Sequence, residues 1–374
     1  MKGLAKRGLF PSAAAFSTLP RSRFSGAPNH TAECAQAHHG STNGATLALC
    51  GVCAMTDIAM SAWARPSAIL MATDLSDLDR LMPVALDAAA GSGARLLLLH
   101  VLGVPGSLPS ETAGMPCYDP SCFVEFATRM LASCCQVARQ QKIHCDMVLR
   151  QGNIAQQIAA ASRQFHADRI LIGTRTWSGT GKPLLGSVVE QVLRSVNLPV
   201  MTVGPEAHLK VGCGDRQRIV LHPTTLRETS RPSAALASSI AARQGARLVL
   251  LHVLPPASDT APKGKLDEMD GNGMESAALR ELRKLAAESC AEGCAGIDSL
   301  VLRGNPAIEI LSEALERSAS LIILGSSQHT AMNDLTRDQV AKRVMAHAHC
   351  PVLILRNPAA SESESCTELL AFHR

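Results

Sequence analysis

The sequence predicts an α/β protein with two tandem, doubly wound, Rossmann-like domains, each built on a five-stranded parallel sheet. Three observations carry this. The chain repeats itself: Gly93–Leu102 reads GARLLLLHVL and Gly245–Leu254 reads GARLVLLHVL, a difference at one position in ten. Gly152 with Gly304, Gly173 with Gly325 and Pro199 with Pro351 keep the same separation. A repeat of this length signals two similar domains rather than a short-period solenoid. From Ser67 onward, short apolar runs alternate with helical stretches, the pattern of a parallel sheet covered on both faces. Right-handed crossovers then give an open, doubly wound sheet. Finally, 374 residues of which 46% are hydrophobic supply enough core for two such domains.

The elements follow in order. Ala68–Ala72 is uniformly apolar and reads as a buried strand. Leu78–Ala90 reads as a helix that Gly91 and Gly93 end. Leu96–Val101 is the second strand, and a helix falls within 120–141 after a variable stretch. His144–Leu149 is the third strand and Ile154–Phe165 the third helix. Arg169–Ile172, Val188–Val196 and Pro199–Val203 are the fourth strand, fourth helix and fifth strand. The same order returns from Arg218 to Leu355. The boundaries expected are an N-terminal extension without stable structure over 1–64, a first domain over 65–206 and a linker over 207–216. A second domain follows over 217–358, with a tail over 359–374.

The extension is rich in Ala, Ser, Gly, Pro and His, and Glu33 is its first acidic residue. That composition has transit-peptide character; a later start at Met55 or Met60 is the competing reading. Ala45–Thr56 is apolar but Asp57 stops it short of a membrane span. Lys and Arg number 36 against 32 Asp and Glu, a balance that gives no basic field for nucleic acid or acidic membranes. Aromatics at 3% leave no stacking platform for bases. The expected location is the cytoplasm. The thirteen cysteines are scattered and read mostly as reduced, half-buried small hydrophobes. Cys134 and Cys135 read as two faces of one helix, and the Cys50–Cys53 pair as chance spacing.

Ligands of open α/β sheets bind beyond the carboxyl ends of the strands. After strand four comes a loop carrying Gly173, Gly179, Gly181 and Gly186, whose backbone approaches an anion closely. Ser187 then opens a helix, with Glu190 at capping-box spacing. A helix N-terminus presents free N–H groups and a positive dipole end, so phosphate suits it, with Lys182 adding charge. A plain glycine-rich connection with a capped helix is the structural alternative. The spacing is neither a Walker loop nor a first-turn dinucleotide fingerprint.

Together, ILMATDLSD, LLLLHV, RQGNIAQQIAAASRQFHADRILIG and GTRTWSG…LLGSVVEQVLRSVNLPVMTV resemble the universal stress protein family. The resemblance is good over about 67–204 and weaker over 217–357. It implies a tandem member whose domains have the adenine nucleotide alpha-hydrolase-like fold. It also implies ATP, with Mg, as ligand of the first domain. Carried over by position, Asp74 and Val101 serve the adenosine end, and Gly173, Thr176, Gly179, Gly186, Ser187 and Val188 the phosphates. A carboxylate after strand one accepts from an adenine amine or a ribose hydroxyl. Thr176 departs from the family's second glycine, and its Cβ narrows the space for phosphate.

The second copy is an internal control. Aligned with the first copy, Asp74 becomes Thr224, and Gly186–Ser187 become Asp338–Gln339. Two unit charges about 4 Å apart repel by roughly 1–4 kcal/mol, enough to disfavour phosphate beside Asp338. The second domain therefore reads as scaffold, paired with the first as an intrachain pseudo-dimer or within a homodimer.

His100 and His252 match in the two copies and read as structural. His347 and His349 lack a third metal ligand, and Ser187 lacks a basic partner for nucleophilic catalysis. The expectation is a non-enzyme, at most a slow ATPase, that binds an adenine nucleotide and acts on an unidentified protein partner in stress response. The competing reading is a scaffold that binds no nucleotide.

Overall fold

The computed structural model describes residues 61–103, 120–174, 185–207, 217–226, 230–256, 267–325 and 339–355. In the first half, β1 (Ala68–Ala72), α1 (Leu78–Ser92), β2 (Arg95–Leu102), α2 (Pro120–Gln140) and β3 (Cys145–Gln151) are followed by α3 (Ile154–Gln164), β4 (Arg169–Gly173), α4 (Ser187–Ser195) and β5 (Val200–Val203). The second half repeats the order with β6 (Ile219–Pro223), α5 (Arg231–Arg243), β7 (Arg247–Leu254), α6 (Asp267–Ser289) and β8 (Ile297–Arg303). It ends with α7 (Pro306–Glu316), β9 (Leu321–Gly325), α8 (Gln339–His347) and β10 (Val352–Leu355).

The strands lie in the order β3-β2-β1-β4-β5-β10-β9-β6-β7-β8. All neighbours are parallel except β5 and β10, which pair antiparallel with Thr202 opposite Val352. Two parallel five-stranded halves thus fuse into one ten-stranded sheet about a local two-fold relation. Alternation along each strand splits the core between the two faces. Ile69, Met71, Leu96 and Leu98 point to the face covered by α1 and α2, continuous with that under α5 and α6. Leu70, Ala72, Leu97 and Leu99 point to the face covered by α3 and α4, continuous with α7 and α8. Among the described residues, no helix is long and apolar enough to cross a membrane.

Three details differ from the sequence reading. Helix α1 runs through Gly91 to Ser92 and ends at Gly93, whose left-handed φ of 74° lets its N–H bond Ala89 O at 2.8 Å. The packed unit reaches back to residue 61, because Trp63 is buried and its carbonyl accepts from the buried Arg169 at 2.8 Å. Cys134 and Cys135 do not divide between two faces of α2; both are buried against the sheet.

The joint between the halves is close and polar at its rim. The Thr202 hydroxyl donates to Val352 O at 3.3 Å. A Cβ on Gly204 would lie 3.2 Å from Met345 O, so glycine there lets two backbones meet. Lys342 of α8 pairs with Glu190 of α4 at 2.8 Å, and Arg218 with Asp87 at 2.7 Å. His347 and His349 both face Glu206 across the joint, at 3.9 and 3.8 Å. The fold supplies the acidic neighbour that the sequence did not reveal. Even so, no group of three or more His, Cys, Asp or Glu among the described residues has the arrangement to hold a metal ion.

Candidate functional site

The carboxyl ends of β1, β2 and β4, adjacent in the sheet, bring together the residues picked out by sequence. After β1 the chain makes a tight turn. Thr73 N bonds Leu99 O at 3.0 Å, and the Thr73 hydroxyl accepts from Leu75 N at 2.9 Å. Leu75 has a φ of 72°, a conformation costly for a residue with a Cβ, so neighbouring bonds must hold it. The turn leaves Asp74 exposed. One of its carboxylate oxygens accepts from the Ser76 amide at 2.8 Å and hydroxyl at 2.7 Å, which fixes the exposed group.

Next door, Leu99 O is the last β2 group to bond toward β1. Two residues on, ladder alternation turns the Val101 backbone edge to the same side, past the end of β1. A nucleobase edge would find donor and acceptor there. His100 Nδ1 meets Thr73 O at 2.9 Å and ties the two strand ends together. His252 makes the same bond to Thr224 O at 2.8 Å, so both histidines are structural.

Gly173 ends β4, and its lack of a side chain has an unforeseen cause. A Cβ there would lie 2.2 Å from Asp77 Oδ2. Asp77, 4% exposed, stands just before α1 but caps nothing with its side chain. Its other oxygen accepts from the Thr73 hydroxyl at 2.7 Å. Burial pushes its carboxyl up to about 6, against the Thr73 bond that lowers it. Nearby, the Thr174 hydroxyl and Arg80 Nη2 are buried without hydrogen-bond partners among the described residues, while Arg80 Nη1 donates to Gly204 O at 3.3 Å. In the sequence an acid before a helix reads as a cap, so nothing there marks Asp77 as a buried group against Gly173.

At the start of α4 the capping-box expectation fails. Gly186, extended at φ −66° and ψ 143°, is the N-cap, and Ser187 is the first helical residue. Glu190 turns to Lys342 instead of back to the cap. Among the described residues no side chain caps α4, so the first-turn amides of Ser187 and Val188 keep the donors and dipole end that suit an anion. Ser187 is exposed, Gly186 buried and Val188 half-buried. Thr176, Gly179, Gly181 and Lys182 lie outside the described residues.

The second domain holds the same turn with different chemistry. Ala72 pairs with Leu99 and Pro223 with Leu251, so Thr73 matches Thr224 and the counterpart of Asp74 is Thr225, one residue beyond the one the sequence alignment gave. The Thr224 hydroxyl accepts from Leu226 N at 3.3 Å, and Leu226 again has positive φ, 59°. Ser233 occupies the place of Asp77: a Cβ on Gly325 would meet its Cβ at 2.7 Å. His222, matching Met71, is buried, meets Ile323 O at 2.8 Å and is pushed down to about 4 by burial. Asp338 lies outside the described residues.

Comparison with known proteins agrees with this architecture. The profile of the universal stress protein family matches twice, at residues 66–204 and 217–356. A universal stress protein of Thermus aquaticus is 33% identical over 128 residues, covering 34% of this chain and 90% of its own. A universal stress protein of Mycolicibacterium smegmatis is 26% identical over 238 residues, covering 62% of this chain and 75% of its own. The crystal structure of a universal stress protein from Archaeoglobus fulgidus superimposes with a TM-score of 0.55 at 21% identity, covering 79% of this chain and 97% of that one, a likeness of fold. With two family matches that together span most of the sequence, and a fold that repeats across one shared sheet, the chain belongs to the universal stress protein family as a tandem, two-domain member.

Proposed function

We propose that the first domain binds one adenine nucleotide, ATP with Mg, and that the protein is a non-catalytic regulator in stress response. The observation that carries this is the exposed carboxylate of Asp74 beside the free Val101 edge, with the N-terminus of α4, which no described side chain caps, in the same half. Asp74 would accept from a ribose hydroxyl or the adenine amine. The first-turn amides of α4 would hold phosphate, supplying the charge-assisted bonds that a polyanion needs. Bound Mg would neutralise phosphate charge. Turnover is expected to be slow at most, because no described side chain pairs a base with a nucleophile here. Mass spectrometry of gently purified protein tests the reading: close to one adenylate per chain is expected, and none recovered from a chain that also fails to bind added ATP refutes it.

A second reading rests on Asp77. Its carboxylate, and not a phosphate, accounts for the glycine at 173, and an ionised Asp77 would repel a polyanion beside it. On this reading both domains are scaffold and the ten-stranded sheet is the functional unit, presented to an unidentified protein partner. Copurified nucleotide at one per chain would exclude it.

A further inference from the structure

The first domain carries a second chemical feature away from the strand ends. Cys135 of α2 and Cys145 of β3 bring their sulfurs to 3.1 Å, with the Cys145 thiol donating to Cys135. That is inside the sum of sulfur radii, and about 1 Å of approach separates it from a bond of about 2.05 Å. Both are buried, at 3% and 1% exposure, and both are free thiols. Arg139, one helical turn beyond Cys135, donates to Cys145 O at 2.9 Å and holds a positive charge near the pair. The repeat again supplies a control: matching the buried faces of α2 and α6, the counterparts in the second domain are Ala286 and Ile297. A packed core at this place needs no sulfur, so the pair is a feature of the first domain alone.

We propose that Cys135 and Cys145 are a disulfide-forming site, oxidised by a small peroxide. The Cys135 sulfur, lowered in pKa by the thiol it accepts from and by Arg139, is the nucleophile. As thiolate it attacks one peroxide oxygen. The O–O bond breaks, the second oxygen leaves and is protonated to water, and Cys135 becomes a sulfenic acid. The Cys145 sulfur then attacks the Cys135 sulfur, its proton goes to the departing hydroxide, and a second water leaves. Two thiols and one hydrogen peroxide thus yield one disulfide and two waters: the sulfurs lose two electrons and the peroxide oxygens gain them. β3 is an edge strand and α2 packs over it, so a water-sized oxidant needs only local opening at the rim of the sheet. The product would bolt α2 to the sheet edge.

The test uses the full chain. The protein is treated with hydrogen peroxide, quenched in acid, alkylated under denaturing conditions and digested without reductant. The expected result is a cross-linked species joining the Cys135 and Cys145 peptides, lighter by two hydrogens, reversed by dithiothreitol and absent from Cys145→Val. Among the described residues, exposed Cys122 and Cys290 are the competitors. If Cys135 and Cys145 are recovered alkylated after Cys122 is fully oxidised, or if Cys135 cross-links equally to any cysteine, the proposal fails. Cys135→Ala, the residue type at the matching position of the second domain, keeps the test open should the valine variant not fold. Its peptide containing Cys145 must then be free of the cross-link.

Discussion

The two domains build the same turn at the end of their first strand, with a threonine hydroxyl, a left-handed leucine and a histidine tie in each. They differ in what the turn presents. The first offers an exposed carboxylate at Asp74 and a buried one at Asp77; the second offers Thr225, with Ser233 and a buried His222. The two copies therefore share the backbone geometry of the turn, while among the described residues the exposed carboxylate at its tip occurs in the first copy only. Each copy thus separates the scaffold from the site in the other.

The largest expected effect breaks the symmetry with pH. His222 is lowered from 6.5 to about 4 in the folded state. Its stability contribution is full above 6.5 and is lost as pH falls toward 4, because the unfolded chain takes up a proton that the buried ring refuses. The loss is about 3 kcal/mol. Between pH 7.5 and pH 5 about 2 kcal/mol of this should be lost, read by denaturant unfolding as the difference between wild type and His222→Met, the residue of the first domain, because Asp77 acts with the opposite sign over the same range.

Asp77 has the opposite sign. Its folded value is raised from 3.8 to about 6, so its contribution is full below 3.8 and is lost as pH rises through 6. The size is again about 3 kcal/mol at full ionisation. Asp77→Asn should stabilise the protein by about 2 kcal/mol at pH 7.5 and by little at pH 4, read from denaturation midpoints. A destabilised variant at both values would show that the carboxylate is held for a structural bond that asparagine cannot make.

Smaller again is the steric coupling. Gly173→Ala should cost about 2 kcal/mol through overpacking against Asp77. Most of that cost should vanish in an Asp77→Ser background, which copies the arrangement at Gly325 and Ser233. The smallest effect lies at the joint. Glu190 and Lys342 occupy matching positions of α4 and α8, so each domain carries the charge its counterpart attracts. Glu190→Lys should cost about 1 kcal/mol and the swapped pair Glu190→Lys with Lys342→Glu should recover it, measured by thermal unfolding at low salt.

Much of this was legible in the sequence. Uniform apolar runs gave the buried strands, and the repeat gave the two halves. The strand ends gave the loop that Gly173 opens, because in a parallel sheet chain direction alone decides which ends meet, and the family resemblance added Asp74 and Val101. Other features were not legible. Sequence alignment misplaced the counterpart of Asp74, since the second copy holds one residue more between its first two strands than the first. Ser187 with Glu190 satisfied a capping pattern, but Glu190 answers to a lysine of the other domain. Asp77 and the neighbouring sulfurs of Cys135 and Cys145 depend on side-chain direction between elements, which neither period nor propensity encodes. The same is true of Glu206 meeting His347 and His349.

The central claim is that the first domain alone holds an adenine nucleotide and that Asp74 orients it. Calorimetric titration of the full chain with Mg-ATP tests it most directly, with Asp74→Ala and Thr225→Ala titrated alongside. The account predicts one site per chain, an affinity weakened about 10- to 100-fold by Asp74→Ala, the worth of a hydrogen bond to a charged group, and no change with Thr225→Ala. Two equal sites, equal affinity for the wild type and Asp74→Ala, or no heat with any of the three would contradict it.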